Sequence, residues 1–204
     1  MAIKVTFFNR RRYFFNAWEL KLNVLVLDRD GVINHDSENY IKSVEEFIPI
    51  DHSISAIVRL CEAGFKVVVA TNQSGLARNY FDDDLLSEMH DLLCTIVEKA
   101  GGVIDGIFYC PHHPDEGCSC RKPETGLLQQ IEKEFACKLQ GCYFVGDSLQ
   151  DIEAARAFDC NPILVRTGKG LITEQLLKEL NDFSVPTDDD LSAAVSRILG
   201  YAVC

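Results

Sequence analysis

The sequence predicts an α/β fold with a doubly wound, mostly parallel sheet and helices on both of its faces. Short apolar runs typical of buried strands alternate with longer amphipathic stretches from Asn23 onward. This alternation is typical of parallel strands joined by right-handed crossovers. With 204 residues, of which 47% are hydrophobic, the chain is also long enough for one substantial core. We therefore expect a single domain over residues 22–204 after an N-terminal extension over residues 1–21.

The extension differs in composition from the rest of the chain, because it is basic and aromatic and contains Arg10, Arg11 and Arg12 in succession. Three interpretations are open. It forms a strand or helix docked on the domain, an arm that binds a membrane surface or a partner, or a segment outside the fold. A short stretch of this kind does not distinguish among them.

Strands are expected at short runs of β-branched or aromatic residues that can be buried on both faces. In chain order these runs are 24–27, 65–70, 103–109, 142–145 and 162–165. Helices are expected at 53–63, 83–100, 124–135 and 149–157, with a helical tail at 171–181 and 189–199. Gly64 suits the end of the first helix, and the acidic run 82–84 suits the start of the second.

The composition argues against several kinds of partner. The net charge of -11 would repel a nucleic-acid backbone. No apolar run is long enough to span a bilayer, and no signal peptide is recognisable, so we expect a cytoplasmic protein that binds neither nucleic acid nor membrane. Nine cysteines without an export signal favour reduced thiols or a metal site over a disulfide framework. We expect a monomer.

Four polar segments directly follow predicted strands, where a doubly wound sheet binds its ligand. They are DRDG at 28–31, TNQSG at 71–75, the CPHH…CSCRKP segment at 110–123, and GDSLQD at 146–151. The convergence of all four at one edge of the sheet predicts a site there.

Asp28 and Asp30 are two positions apart in extended chain, so their carboxylates face the same way. Two like charges this close require a cation or a shared proton. Asp147 adds a further carboxylate after a later strand, and an oxygen-rich site of this kind suits Mg²⁺. The alternative is that Asp30-Gly31 only makes a turn.

Thr71 and Lys122 add a hydroxyl and a cation to the carboxylates of the predicted site. A phosphoryl group in transfer carries negative charge on its equatorial oxygens, and a hydroxyl, a cation and a metal can stabilise it. The alternatives are that Thr71 caps a helix and that Arg121 and Lys122 lie in an ordinary solvated turn.

The order and spacing of these four motifs, DxD, Thr, Lys and GDxxxD, resemble the phosphatase branch of the haloacid dehalogenase superfamily over residues 23–170. The resemblance implies that Asp28 is the nucleophile and forms an aspartyl-phosphate. It implies that Asp30 gives a proton to the leaving alkoxide and then takes one from water, for which its surroundings must hold a proton near neutral pH. The implied Mg²⁺ ligands are Asp28, the backbone carbonyl of Asp30, and Asp147.

The resemblance also assigns Thr71 and Lys122 to the transferring phosphoryl group. Asp151 would either support the metal site or orient Lys122. The interval between Asp30 and Thr71 holds one predicted helix and one strand, so no large cap domain is expected.

The cysteine-rich segment predicts a structural zinc site that staples this loop. Cys110, His112, Cys118 and Cys120 offer three thiolates and one imidazole, which satisfy tetrahedral zinc and leave no open position. The alternatives are surface thiols, or His113 as the ligand in place of His112.

A zinc loop without a large cap resembles two branches of the superfamily. The TNQSG motif and the CPHH…CRKP pattern resemble phosphatases that act on D-glycero-D-manno-heptose 1,7-bisphosphate. This implies removal of the 7-phosphate in ADP-heptose and lipopolysaccharide core synthesis. The alternative is a histidinol-phosphate phosphatase of histidine biosynthesis. The implied substrate contacts are Asn34, Asp36, Tyr40, Asn72, Gln73, Ser74 and Arg121, the last for the distal phosphate.

Two other functions are weighed against this one. A non-catalytic, zinc-stapled binding module would use the basic extension for a partner, but the complete set of five chemical groups disfavours it. A polynucleotide phosphatase is disfavoured by the acidic charge.

Overall fold

The computed structural model describes residues 4–6 and 23–200. The rest of the basic extension and the last four residues lie outside the described residues. Of the three interpretations of residues 1–21, the docked strand holds for residues 4–6, whose backbone pairs with the sheet. The role of the extension as a whole stays a prediction.

The described residues form one sheet of seven strands in the order β1-β4-β3-β2-β5-β6-β7. The strands are β1 Lys4–Thr6, β2 Val24–Leu27, β3 Lys66–Asn72, β4 Gly106–Cys110, β5 Tyr143–Gly146, β6 Asn161–Val165 and β7 Thr187–Asp188. Strands β2 to β7 are parallel, and β1 runs antiparallel to β4 at one edge. The predicted doubly wound sheet is confirmed.

Residues 23–200 contain six α-helices: α1 Ser53–Glu62, α2 Asp83–Lys99, α3 Gly126–Phe135, α4 Leu149–Ala157, α5 Gly170–Glu179 and α6 Leu191–Ile198, the last of which follows β7. The predicted capping residues are found at the end of α1 and at the start of α2. Gly64, with a positive φ of 84°, follows the end of α1. The Asp82 side chain caps α2 by accepting a hydrogen bond of 2.9 Å from the backbone N–H of Leu85.

Two strand boundaries differ from the prediction by two or more residues. Thr71 does not begin a loop, because pairing with β4 continues to Asn72 and keeps both residues in β3. Strand β4 begins at Gly106 rather than at 103, because the Asp105 side chain accepts hydrogen bonds from the Lys66 side chain and the Val67 backbone instead of continuing the strand.

The core lies on both faces of the sheet, and β2 shows why its four residues are all apolar. Leu25 and Leu27 pack in the core beneath α1, α2 and α6, whereas Val24 and Val26 pack in the core beneath α3 and α4. Burial of each such side chain stabilises the fold by about 1.5–3 kcal/mol. This stabilisation fixes the strand that carries the acidic motif.

The strand order places the polar segments together. The chain winds from β2 through β3 to β4 on one side, and then returns to β5 on the other side of β2. In the register, Leu27 is opposite both Val69 and Val145, so the carboxyl ends of β2, β3 and β5 lie at one edge. Between β2 and α1 the described chain forms turns and isolated bridges, as expected for a protein without a large cap. None of the described helices combines the length and the apolar character needed to cross a membrane.

Candidate active site

Lys122 lies at the centre of the site and is 2% exposed. Its Nζ is 2.8 Å from Asp28 Oδ1 and 2.6 Å from Asp151 Oδ1, and it donates a hydrogen bond of 2.7 Å to the backbone carbonyl of Ala70. Burial alone would lower the pKa of Lys122, but the charges of Asp151 and Asp28 raise it above its ordinary value. A buried cation is thus held against the first carboxylate of the acidic motif.

The carboxylates of Asp28, Asp147 and Asp151 offer oxygen atoms that lie within 4.8 Å of one another. Burial raises the pKa of Asp28 to about 6, although Lys122 opposes the shift. Burial, together with the charges of Asp28 and Asp151, raises the pKa of Asp147 to about 8. Buried carboxylates that repel one another in this way fit a divalent cation with oxygen ligands such as Mg²⁺.

Asp147 is seated between two glycine turns. A Cβ atom added to Gly31 would lie 2.1 Å from Asp147 Oδ2, and one added to Gly168 would lie 2.2 Å from it. The same oxygen accepts a hydrogen bond of 2.8 Å from the backbone N–H of Lys169. Only glycine leaves room for this carboxylate. Gly168 and Lys169 were not among the residues predicted for the site; the glycines on either side of Lys169, a few residues after a predicted strand, were the available signal.

Asp151 contacts Lys122 through one carboxylate oxygen and is itself oriented by Ser148 through the other. Its Oδ1 contacts Lys122, while its Oδ2 accepts hydrogen bonds from the Ser148 backbone N–H at 3.1 Å and the Ser148 hydroxyl at 2.6 Å. Of the two roles left open for Asp151, the geometry supports the orientation of Lys122. Because an Asp151 oxygen also lies within 4.8 Å of oxygens of Asp28 and Asp147, support of the metal site stays open as a second role.

The Asp30 carboxylate is surrounded by donors. It accepts hydrogen bonds from Arg29, from Asn34 Nδ2 at 2.8 Å to Oδ1, and from Gln73 Nε2 at 2.7 Å to Oδ2. Burial would raise the pKa of Asp30, but the Arg29 charge and these hydrogen bonds bring it below its ordinary value. The surroundings therefore differ from the expected ones, because they favour the ionised carboxylate rather than one that holds a proton near neutral pH.

Thr71 is 1% exposed, and its Oγ1 accepts a hydrogen bond of 3.0 Å from the Gln73 Nε2 that also reaches Asp30. Asn34 and Gln73, expected to contact substrate, are thus buried donors to Asp30. Ser74 is buried as well. These side chains surround the acidic motif.

The remaining predicted contacts lie around this centre. Asn72 Nδ2 donates to the Lys122 carbonyl, and Asn72 Oδ1 accepts from the Lys122 backbone N–H. Asp36 pairs with Lys169 Nζ at 2.9 Å. Arg121 is half-buried, and its Nη1 has no hydrogen-bond partner among the described residues. This unpaired donor fits the expectation that Arg121 meets an anion.

Tyr40 joins two of the loops. Its ring lies 5.0 Å from the Tyr80 ring and 5.8 Å from the Arg78 guanidinium carbon. The loop after β2 therefore contacts the loop after β3 at this point. Arg78 and Tyr80 were not predicted as site residues, because nothing in their spacing along the chain relates them to Tyr40.

The structure brings the four predicted zinc ligands together. Cys110 Sγ is 3.2 Å from Cys120 Sγ and 3.6 Å from Cys118 Sγ, and His112 Nδ1 is 3.2 Å from Cys120 Sγ. Zinc bonds of about 2.0–2.3 Å in a tetrahedron give ligand separations of about 3.5–3.8 Å, close to these values. His113 instead caps a 3-10 turn and pairs with Asp115 at 3.2 Å, so the geometry favours His112.

The fold and the site define a phosphatase of the haloacid dehalogenase (HAD) class, and residues 119–190 match the HAD-hydrolase-like family. The chain is 53% identical over 177 residues, 87% of this chain and 98% of its relative, to a D-glycero-beta-D-manno-heptose-1,7-bisphosphate 7-phosphatase from Pseudomonas aeruginosa. It is 47% identical to the protein of the same name from Pseudomonas putida, with 87% of this chain and 100% of that protein covered. The chain belongs to the D-glycero-beta-D-manno-heptose-1,7-bisphosphate 7-phosphatase family.

Solved structures agree with this assignment. The D,D-heptose 1,7-bisphosphate phosphatase from B. bronchiseptica, complexed with magnesium and phosphate, aligns with a TM-score of 0.83 at 43% identity, covering 89% of this chain and all of that one. The D,D-heptose 1,7-bisphosphate phosphatase from Burkholderia thailandensis aligns with a TM-score of 0.67 at 34% identity, covering 87% of this chain and 98% of that one.

Proposed function

We propose that the protein removes the 7-phosphate of D-glycero-β-D-manno-heptose 1,7-bisphosphate, in the pathway to ADP-heptose and the lipopolysaccharide core. The observation that carries the chemistry is the buried contact of Lys122 with Asp28, beside Asp147. The substrate is supported by the 53% identity with a relative of that name. The relatives favour this substrate over histidinol phosphate.

In the proposed first step, an Asp28 carboxylate oxygen attacks the 7-phosphorus and the bond from phosphorus to the sugar oxygen breaks. Thr71 Oγ1 and Lys122 Nζ contact the oxygens of the transferring group and stabilise their charge. Asp30 supplies a proton to the leaving alkoxide. Because the surroundings favour ionised Asp30, it must first take up a proton from solvent, as substrate replaces one of its present donors, and it then gives that proton to the alkoxide.

In the second step, Asp30 accepts a proton from water, which attacks the aspartyl-phosphate and releases inorganic phosphate. Mg²⁺ would be held by Asp28, the Asp30 carbonyl and Asp147, and when bound it supplies positive charge for the phosphate oxygens. Arg121, Asn72, Ser74, Asp36 and Tyr40 would contact the sugar and its other phosphate. The unpaired Arg121 nitrogen supports this assignment.

Zinc at Cys110, His112, Cys118 and Cys120 would have a structural role. Four ligands complete its coordination, so it has no position for substrate. Lys122 lies two residues after Cys120, so the zinc loop would help to place it.

The test is phosphate release with Mg²⁺ from heptose 1,7-bisphosphate and from histidinol phosphate, compared as kcat/KM. We expect a preference of about 100-fold or more for the heptose, because the second phosphate adds charge-assisted contacts. A preference for histidinol phosphate would overturn the substrate and keep the mechanism. Release from no small phosphomonoester would instead favour the binding-module alternative.

We also propose that the protein acts as a monomer in the cytoplasm, and that residues 22–204 are the catalytic domain. Light scattering of the purified chain and fractionation of cells test the first two expectations.

A further inference from the structure

Arg29, the residue between the two aspartates, is 1% exposed. Its Nη2 lies 3.0 Å from each carboxylate oxygen of Asp30, and its Nε lies 3.1 Å from Oδ1. The guanidinium carbon lies 5.8 Å from the centre of the Phe47 ring. The buried Arg29 guanidinium therefore donates hydrogen bonds to both carboxylate oxygens of Asp30.

His90 on α2 makes a hydrogen bond with the guanidinium nitrogen of Arg29 that does not contact Asp30. Arg29 Nη1 lies 3.3 Å from His90 Nε2. An arginine N–H can only donate, so Nε2 is the acceptor and the ring proton is on Nδ1. Burial and the Arg29 charge lower the pKa of His90 to about 3, which keeps the ring neutral.

His90 is fully buried and makes an edge contact with the Tyr109 ring at 5.5 Å. Its Nδ1 has no hydrogen-bond partner within the part of the chain that the structure describes. A buried N–H without a partner costs about 1–3 kcal/mol. An apolar side chain would avoid this cost, so the imidazole is explained by what its Nε2 does for Arg29.

The orientation of Asp30 is connected to the phosphoryl site. Gln73 Nε2 donates both to Asp30 Oδ2 at 2.7 Å and to Thr71 Oγ1 at 3.0 Å. Rotation of the Asp30 carboxylate would break this bridge. The contacts of Arg29 with both oxygens oppose that rotation.

We propose that Arg29 and His90 are positioning residues that hold the Asp30 carboxylate in the orientation for proton transfer, with His90 acting only through Arg29. This inference rests on the role of Asp30 in the proposed function. It adds two residues that never touch substrate.

The test uses the leaving group. A sugar alkoxide needs a proton from Asp30 in order to leave, whereas p-nitrophenolate leaves from p-nitrophenyl phosphate without one. His90→Leu should lower kcat for heptose 1,7-bisphosphate by about 10- to 100-fold, the scale of a misplaced catalytic group. The burst of p-nitrophenolate that reports attack by Asp28 should change by less than about twofold, because that step needs no general acid.

Three further variants sharpen the comparison. His90→Gln keeps a hydrogen-bond acceptor and should restore most of the activity. In an Asp30→Asn background, His90→Leu should cause no further loss, because coupled residues are not additive. Met89→Leu, at a buried neighbouring position of α2, should behave like the unmodified chain with both substrates.

An equal loss in kcat for the heptose and in the p-nitrophenolate burst, or a further loss in the Asp30→Asn background, would overturn the proposal in favour of a packing role. No loss in His90→Leu would also overturn it. If His90→Leu does not fold, Arg29→Lys carries the same comparison, because it keeps the charge but cannot grip both oxygens. If the unmodified chain does not hydrolyse the heptose, the proposed substrate fails, and another alkyl phosphate that the chain does hydrolyse serves in the comparison.

Discussion

Asp28 contacts Lys122 and belongs to the same carboxylate group as Asp147. Asp28→Asn removes the attacking charge but keeps the shape of the side chain. We expect kcat to fall by about 10⁴-fold or more, as when other covalent nucleophiles are removed, with the fold retained because Asp151 still neutralises Lys122. Steady-state kinetics and circular dichroism measure the two effects.

Asp91→Asn is the matched control, since Asp91 is exposed on α2. It should leave kcat unchanged. Near-normal activity in Asp28→Asn would remove Asp28 as the nucleophile.

The raised pKa values of Asp28, about 6, and Asp147, about 8, predict that Mg²⁺ binding releases protons near neutral pH. The metal binds the ionised carboxylates, so its apparent affinity should rise with pH between 6 and 8, by at most about tenfold per pH unit for each proton. Calorimetry in buffers of different ionisation enthalpy measures the released protons. An affinity that does not change over this range would contradict the prediction.

The same shifts affect stability. A carboxyl whose pKa in the folded protein lies above its unfolded value favours folding less and less as the pH rises between the two values. For Asp147 in the metal-free protein this interval runs from 3.8 to about 8. Added Mg²⁺ should therefore raise Tm more at pH 8 than at pH 6, which thermal unfolding at both values measures.

Single residues also show where sequence reasoning reached its limit. The strand-end pattern predicted that Asp28, Lys122 and Asp147 lie together, because parallel strands bring their carboxyl ends to one edge. It did not predict that Gln73 points at Asp30, since the direction of a loop side chain depends on packing. The contact of Arg29 with His90 spans 61 positions, and no local pattern reports it.

At the scale of elements, the turn after β2 and the turn after α1 offer a matched pair of glycines. Gly31 and Gly64 both have φ of +84°, but a Cβ at Gly31 would lie 2.1 Å from Asp147 Oδ2, whereas one at Gly64 would meet nothing within 4 Å. Alanine at either position should cost about 1–2 kcal/mol of stability from the backbone alone. Only Gly31→Ala should also lose activity, by about 100-fold through displacement of Asp147.

Denaturant unfolding and kcat of the two variants separate these effects. Full activity in Gly31→Ala would show that catalysis does not depend on the observed position of the Asp147 carboxylate. An equal loss of activity in Gly64→Ala would point to a general effect of backbone strain.

The zinc loop should control the placement of Lys122. The Lys122 backbone bonds to the Asn72 side chain, and the loop packs on the start of α3, where Gly126 N–H donates to the Ser119 carbonyl at 2.9 Å. Removal of zinc should raise hydrogen exchange over residues 110–122 and lower kcat by about tenfold or more. Metal analysis of protein purified without chelator should find one zinc per chain.

Cys118→Ser should reproduce both effects, whereas Cys137→Ser, outside the cluster, should not. A chain free of zinc but fully active would contradict the prediction.

The predicted and observed secondary-structure elements differ mainly where pairing with residues distant in sequence determines whether a strand forms. The apolar runs predicted the five central strands, because burial on both faces requires such runs. Strand β7 has only two residues, Thr187 and Asp188, and was missed because its sequence is polar. It forms by pairing with Leu164 and Val165 of β6, and nothing in the local sequence indicates that contact.

For the whole molecule, the division at residue 22 predicts that a chain lacking residues 1–21 still folds and hydrolyses phosphate. The deletion removes β1, which pairs with β4 over three residues, and should cost about 1–3 kcal/mol of stability from lost hydrogen bonds. Its kcat/KM should stay within about twofold, because a peripheral strand carries no group of the site. Loss of activity without loss of stability would instead give the extension a role in catalysis.

The position of β2 between β3 and β5 has a consequence for biosynthesis. A chain leaves the ribosome from its N-terminus, so Asp28 and Thr71 emerge long before Asp147 and the turn at Gly168 and Lys169 that seats it. Until β5 has emerged, the strand that carries Asp28 lies at an open edge of the partial sheet. A nascent chain therefore has no complete site for phosphate esters until about residue 170 is free, and we expect polypeptides released before that point to be inactive.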